Sequence, residues 1–456
     1  MRISGSLKNV AKISSGTIVG QVISILTLPI ITRMYGAEVM GSWAAIYAIS
    51  SILVYCCDLG LSQAIMIETD DEVEKLYQTV STISLLLCAF AYFISLVYYL
   101  FLGNSLKTAS IDSFFVVVYA FTLRQVQTCY TWLNRERKYD ILMRNPIINY
   151  ASVAIISIAL SMIGLKKYGY FWGVILGQFF TLINMGTALP KFRFWFDLSY
   201  FKNAVKKHRE FVRYQMPSQI STQLRQQIPN LLIGALFGNE ILGYFSISQK
   251  LISIPITFIG QALGKVFYQT VAEMKRTGKA IGIFLKRNMN RAMMMAIVPM
   301  ILFAAFGDAA IVIFFGKEYA LGGTISRISV FRSVFTFLST SLAGIDIVTE
   351  QQKRTLQTCL MQTILASLSV LVGYYTMNSI LFTVLLIVIT FDIMQMWYFV
   401  KIYRSLDLSA MEYLGRMVAT LVIVAVGAIL VRFLFIQVAG AINNSVTEFL
   451  ISCLCE

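Results

Sequence analysis

Histidine is almost missing from this 456-residue chain, in which His208 stands alone. A Ser-His or Cys-His catalytic pair, or a histidine metal cluster, would have to use that one side chain, which nearly closes those chemistries. Charge is scarce too, at 13% of residues against 57% hydrophobic, with a mean hydropathy of +0.71. Such a composition excludes a soluble globular enzyme and a disordered chain. The seven cysteines, Cys56, Cys57, Cys88, Cys129, Cys359, Cys453 and Cys455, show no metal-type spacing and sit mostly in apolar runs. They read as small buried hydrophobes, with neither disulfide nor metal expected. No connection between apolar runs exceeds about 23 residues, and no Walker-type glycine loop occurs. That leaves no room for an extramembrane catalytic or nucleotide-binding domain, so the chain is expected to hydrolyse no ATP, to use no cofactor and not to be an enzyme.

What the chain has instead is apolar runs of membrane-crossing length. Hydropathy windows place thirteen spans near 13–31, 40–57, 79–102, 111–133, 145–164, 170–190, 214–237, 241–267, 292–315, 328–349, 355–374, 379–400 and 413–435. A weak segment ending FLISCLCE, with Asn443 and Asn444, leaves a fourteenth span open. Runs this long and uniformly apolar are helices, because a spanning segment must satisfy its own backbone. The fold class is therefore an all-α polytopic membrane protein. The basic N-terminus (Met1 to Lys12) precedes an apolar run that passes Pro29 without a small-residue cleavage site, which reads as a retained first span and not a signal peptide. With that terminus cytoplasmic, 26 of the 38 Lys and Arg fall on the inner side, seven on the outer side and five within spans. The net charge of +15 is thus mainly a topology signal. One inner connection dissents, since 58–78 carries Glu68, Asp70, Asp71, Glu72 and Glu74 against Lys75.

The chain repeats itself once. Gly36, Glu38, Val39, Met40, Gly41 and Trp43 form G-x-E-V-M-G-x-W, and Gly238, Glu240, Ile241, Leu242, Gly243 and Phe245 form G-x-E-I-L-G-x-F, every pair 202 residues apart. The offset aligns Gln21 with Gln223 and Ser24 with Gln226, and six spans separate the copies. This predicts a parallel repeat of six helices plus six, one of the repeat classes of secondary transporters. The expected organisation is a six-helix bundle over 1–190, a linker over 191–213, a second bundle over 214–405, and an additional helix and tail over 406–456. In the linker, Phe192, Phe194, Trp195, Phe196, Tyr200 and Phe201 precede Lys202, Lys206, Lys207 and Arg209, which suits an amphipathic cytoplasmic helix in the headgroups of an anionic leaflet.

Polar residues inside spans are expensive and therefore informative. Gln215, Gln219, Thr222, Gln223, Gln226 and Asn230 fall on one face of the seventh span, with Arg225 at its edge. The first span answers with Thr17, Gln21, Ser24 and Thr27 beside Gly16 and Gly20. Two such faces at corresponding places predict a hydrophilic lumen, with Pro29, Pro217 and Pro229 as bending points. Arg124, Lys250 and Arg332 add cations, and each is either a lumen group or half of an internal pair. Asp392 is the one deep carboxylate, either counter-ion or cation site. Asp58, Asp308, Asp346 and Glu350 read as interfacial. A cationic lumen favours an anionic solute, because guanidinium grips phosphate in bidentate fashion.

The stretch SSGTIVGQVISILTLPIITRMYGAEVMGSWAAIYAISSIL resembles the opening of bacterial polysaccharide and O-antigen flippases of the multidrug, oligosaccharidyl-lipid and polysaccharide (MOP) exporter superfamily. LLIGALFGNEILGYFSISQKLISIP resembles that family's second-half opening, and IVIFFGKEYA its ninth-span end. The resemblance implies two six-helix bundles around a V-shaped cavity that opens alternately to either side of the bacterial cytoplasmic membrane. It implies as cargo an undecaprenyl-pyrophosphate-linked oligosaccharide, and as partners the bilayer, a polysaccharide polymerase and a chain-length regulator, with the protein itself a monomer. On this reading Arg225 and Arg124 bind the pyrophosphate with help from Lys250 and Arg332, while Gln21, Gln219, Gln223, Gln226 and Asn230 line the sugar path. The alternatives are a cation-coupled drug exporter of the same superfamily, which would want a carboxylate cluster, and a membrane glycan polymerase or acyltransferase, which would want a large outer loop.

Overall fold

The computed structural model describes residues 2–190 and 195–442. Phe192, Phe194, Asn443, Asn444, Cys453 and Cys455 lie outside the described residues. The helices are α1 (Arg2–Cys56), α2 (Val73–Phe101), α3 (Leu106–Arg135), α4 (Tyr139–Met162), α5 (Lys167–Gly186), α6 (Leu198–Lys207), α7 (Met216–Phe237), α8 (Asn239–Pro255), α9 (Gln261–Arg276), α10 (Ile281–Phe315), α11 (Ala320–Ser341), α12 (Ile345–Val348), α13 (Gln352–Met377), α14 (Ile380–Ser405) and α15 (Ala410–Ile442). Among the described residues there is no strand, and nine stretches are long and apolar enough to cross a membrane by length and composition. The glycines of α5 and the polar residues of α7 and α11 keep those three below that hydropathy. Counting them, and counting α1 as two spans, gives the thirteen expected from sequence.

The repeat is visible in the backbone. Helix α1 breaks at Gly36, whose φ is 76° and ψ 169°, and Gly238 before α8 takes φ 90° and ψ 168°. That region is open almost only to glycine, since a Cβ would collide with the flanking peptide. A third G-x-E turn, Gly316-Lys317-Glu318, repeats the geometry with φ 106° and ψ 163°; the sequence comparison passes over it because no V-M-G follows. Downstream of the first turn, Trp43 is buried against Tyr119 and Phe171, with ring centroids 4.9 and 5.4 Å away. Its repeat partner Phe245 is buried likewise.

The chain forms two compact units, Met1–Leu231 and Leu232–Glu456. In the first, small residues let helices approach closely, as expected where lipid supplies no hydrophobic drive between them. A Cβ at Gly20 would stand 2.8 Å from the Pro146 carbonyl of α4. Gly169, Gly173 and Gly177 give α5 a stripe at every fourth residue, and side chains there would overlap Leu160, Ser157 and Val153 of α4. Tyr35 closes the contact by donating to the Ser157 carbonyl at 2.6 Å.

Helix α6 starts at Asp197, whose Oδ1 accepts the Ser199 amide at 2.8 Å. Its apolar face does not lie free for the headgroups. Ala204, Tyr200, Phe201 and Val205 pack with Leu61, Ala64, Ile65 and Leu76, so the bundle itself covers the face that the amphipathic pattern assigned to lipid. Lys202, Lys206, Lys207 and Arg209 remain on the exposed side. A π-helical turn, Phe211–Gln215, then leads into α7; Pro217 lacks the amide hydrogen for Arg213, and the wider turn accommodates the gap.

In the second unit α10, α11, α14 and α15 share one core, built on residues such as Met300, Phe335, Phe399 and Met417. The additional helix α15 is pinned near both ends. Arg432 donates to Asp308 at 2.7 Å, and Glu412 accepts from Lys286 at 2.6 Å and pairs with Arg416 one turn along.

Gly36→Ala and Gly238→Ala should each destabilise the protein by about 1–3 kcal/mol, seen as a lower melting temperature in detergent. Gly186→Ala, at a helical position with open space around it, should not.

Candidate functional site

Two sets of polar groups emerge, one in each unit. In the first, α7 carries the amide ladder along one face. Gln226 is exposed, and Gln219, Gln223, Arg225 and Asn230 are partly exposed, as is Gln21 on α1. Asn230 Nδ2 donates to Gln227 Oε1 at 3.0 Å. Gln227 is itself buried, and that bond holds the Asn230 amide at the inner edge of the face. Sequence spacing left Gln227 out because it sits one residue off the ladder. The i, i+3 bond to Asn230 was the signal available.

Of the two roles open to Arg124, the structure gives it the internal pair. It is 3% exposed, and its guanidinium is occupied by its own bundle. Nη1 pairs with Asp58 Oδ2 at 3.2 Å, Nη2 donates to Ser62 Oγ at 2.7 Å, and Nε donates to Thr128 Oγ1 at 3.3 Å. Asp58 is itself buried in the bundle, 2% exposed. Leu59 and Gly60, with φ 54° and 76°, turn the chain so that Asp58 points back into the bundle and accepts the Gly60 amide at 3.0 Å. A buried carboxylate needs such compensation, and the guanidinium supplies it. Arg124 is therefore removed from the set that can face a solute.

The second unit repeats this logic. Asp346, also read as interfacial, is buried and accepts Arg354 Nε at 2.9 Å and the Tyr398 hydroxyl at 2.9 Å. Asp308, likewise buried, takes Arg327 at 3.1 Å besides Arg432. On α8, Ser248 donates to the Gly322 carbonyl at 2.6 Å and Gln249 Nε2 to Ser329 Oγ at 2.9 Å. These two anchors dock α8 on α11 and turn the next residue, Lys250, outward, where it is exposed. Arg332 of α11 stands over the Phe391 ring at 4.7 Å, a cation–π contact that orients the guanidinium without neutralising it. Asp392, the next residue on α14, interacts electrostatically with Arg332, and its Oδ1 has no hydrogen-bond partner among the described residues. The structure thus associates Arg332 with Asp392, sets Lys250 apart on α8, and leaves four amides partly or fully exposed on α7 and Gln21 partly exposed on α1.

Chemically, an exposed row of amides with an arginine at its edge suits hydroxyl-rich and phosphorylated solutes. Residues 30–321 match the family described as polysaccharide biosynthesis protein. The chain belongs to this family. This polysaccharide biosynthesis protein is also 30% identical over 107 residues to the amylovoran biosynthesis protein AmsL of Erwinia amylovora, a match covering 22% of the present chain and 26% of AmsL. The chain therefore spans about a quarter of the length of that relative. Among solved structures, the lipid II flippase MurJ in an inward closed conformation has a TM-score of 0.69 at 11% identity, with 93% of this chain and 98% of that one covered. An inward-facing multidrug resistance MATE family transporter of the MOP superfamily gives 0.61 at 14% identity, covering 88% and 98%. At these identities the likeness is one of fold: this polysaccharide biosynthesis protein is a multi-pass, all-α membrane protein with the architecture of MOP-superfamily transporters.

The Arg124–Asp58 pair sets a contrast that can be measured. Arg124→Ala, which strands a buried carboxylate, should cost about 3–5 kcal/mol and lower the amount of folded protein in the membrane, with Asp58→Ala close behind. Lys250→Ala, on the exposed side of α8, should shift unfolding by no more than about 0.5 kcal/mol. Thermal unfolding of the purified variants distinguishes the two classes.

Proposed function

We propose that the protein is a flippase that carries undecaprenyl-pyrophosphate-linked oligosaccharide repeat units across the bacterial cytoplasmic membrane by alternating access, for surface polysaccharide synthesis. The observation that carries this reading is the amide ladder of α7, in which Gln226 is exposed and Gln219, Gln223 and Asn230, with Arg225 beside them, are partly exposed along a helix of membrane-crossing length. Family membership supports a role in polysaccharide synthesis, and the fold shared with the lipid II flippase MurJ supports a lipid-linked cargo. In this assignment Arg225, Lys250 and Arg332 attract the pyrophosphate, the amides with Gln21 receive the sugar hydroxyls, and the polyprenyl tail stays in lipid. Asp392 serves as counter-ion to Arg332.

The exporter of cationic drugs is the weaker reading. It needs carboxylates open to the solute, and Asp58, Asp308 and Asp346 are each spent on an arginine within their own bundle. A transporter and not an enzyme, the protein would work with its N-terminus cytoplasmic, as a monomer, alongside a polymerase and a chain-length regulator that draw flipped units onward. An inside-negative potential assists outward passage of an anion by about 2.3 kcal/mol per charge per 100 mV across the full field.

Replacing Arg225 and Lys250 together by Ala should cut surface glycan at least about tenfold while the protein stays at its normal membrane level, since each lost charge-assisted hydrogen bond is worth about 1.5–3 kcal/mol. Lipid-linked units should then accumulate on the cytoplasmic face. Undiminished surface glycan in that variant overturns the assignment.

A further inference from the structure

The acidic connection that broke the charge pattern and the basic linker meet in the fold. Glu68 follows the 3-10 turn Leu61–Met66 and is 5% exposed. All three of its oxygens are engaged. Oε1 accepts Lys207 Nζ at 2.6 Å and the Thr69 amide at 2.9 Å, and Oε2 lies 2.7 Å from His208 Nε2. Its carbonyl accepts Arg135 Nη1, which also binds the Ile65 carbonyl at 2.8 Å. Around this hub, Arg135 pairs with Asp70, Lys207 reaches Glu72 at 3.3 Å, and the Tyr200 hydroxyl donates to the Glu72 carbonyl at 3.3 Å. His208, the sole histidine, is buried here.

One residue thus ties together the loop after α1, the end of α3 and the end of α6, the last through its side chain and α3 through its carbonyl. The chain downstream of His208 enters α7 after a single π turn, and Gly60 lies against that turn: a Cβ there would be 3.0 Å from the Phe211 carbonyl. Burying a carboxylate to this depth is tolerable only with its charge met, so the geometry selects one arrangement of linker on bundle. Nothing in substrate binding requires it.

We infer that Glu68 is a positioning residue, a latch that holds the linker helix α6 on the first bundle throughout the transport cycle and so fixes where the amide-bearing part of α7 begins. The consequence for export rests on the flippase reading; the latch itself does not. Burial pushes the Glu68 carboxyl up, but the Lys207, Thr69 and His208 donors outweigh it and hold it at about 2. A depressed carboxyl contributes stability above its ordinary range and loses it only as pH falls toward that value, so the latch stays closed at neutral pH.

The test is hydrogen exchange followed by mass spectrometry on the full-length protein in lipid nanodiscs. In Glu68→Ala, amides over 198–215 should exchange at least about tenfold faster, with α4 and α5 unchanged; Glu68→Gln, which keeps one acceptor, should fall between. If Glu68→Ala does not accumulate, Lys207→Ala with His208→Ala makes the same test from the other side. Unchanged exchange over 198–215 in the variants overturns the latch, whatever the cargo. For its role in transport, Glu68→Ala should lower surface glycan severalfold at normal protein level. A bifunctional thiol reagent joining Glu68→Cys to Lys207→Cys should restore it. Normal glycan in a variant with accelerated exchange, or loss of glycan on cross-linking, overturns the positioning role and leaves the flippase reading standing.

Discussion

An apolar helix bundle offers a buried carboxylate few hydrogen bonds and no counter-ions, so an acid packed between helices must bring a cation with it. In this protein that requirement organises both compact units. Asp58 is met by Arg124, Asp346 by Arg354, and Asp308 by Arg327 and Arg432. Each pair joins helices that hydrophobic packing alone would leave free to slide, because apolar side chains gain little from one another when the surroundings are equally apolar. Glycine stripes bring the backbones close, and the ion pairs fix their register. The additional helix α15 shows both ends of the principle, held by Arg432 at one end and Glu412 at the other.

Accounting for the carboxylates changes what the remaining cations signify. The paired arginines are committed to architecture, and other polar residues keep part of their surface open: the α7 amides and Lys250. Arg332 is intermediate, oriented by Phe391 and shared with Asp392. On the flippase reading, sign selectivity would then arise because Asp58, Asp308 and Asp346 are taken up by arginines of their own bundles.

The spans, the repeat and the polar face of α7 were legible in sequence because each rests on a period, of apolar length, of 202 residues or of helical spacing. The equivalence of Gly36 and Gly238 even predicts a shared backbone, since both glycines precede a helix and adopt a region closed to other residues. The partners of Arg124 and Arg354 were not legible. Asp58 and Asp346 stand at span ends by hydropathy, and only the left-handed turns at Leu59–Gly60 and at Gly344 swing them inward, which no window average registers. What covers the linker helix was hidden for a related reason. Its amphipathic pattern is real, but periodicity states that a face will be covered and not by what; here Leu61, Ile65 and Leu76 reach it before lipid does.

That distinction bears on the acidic connection after α1. Judged as topology it was an anomaly, since inner loops collect Lys and Arg and tolerate acids without preferring them. Judged as chemistry it has a specific partner, because Glu68 and Glu72 stand where Lys207 and His208 arrive. A basic linker left unpaired would be drawn to anionic headgroups and could wander along the membrane surface. Meeting it with buried acid instead trades that mobility for a fixed point just ahead of α7. On the flippase reading, in which α7 presents five polar side chains to a bulky solute, a fixed starting point matters more than for a lipid-facing span, because a rotation of one residue would turn the ladder toward hydrocarbon.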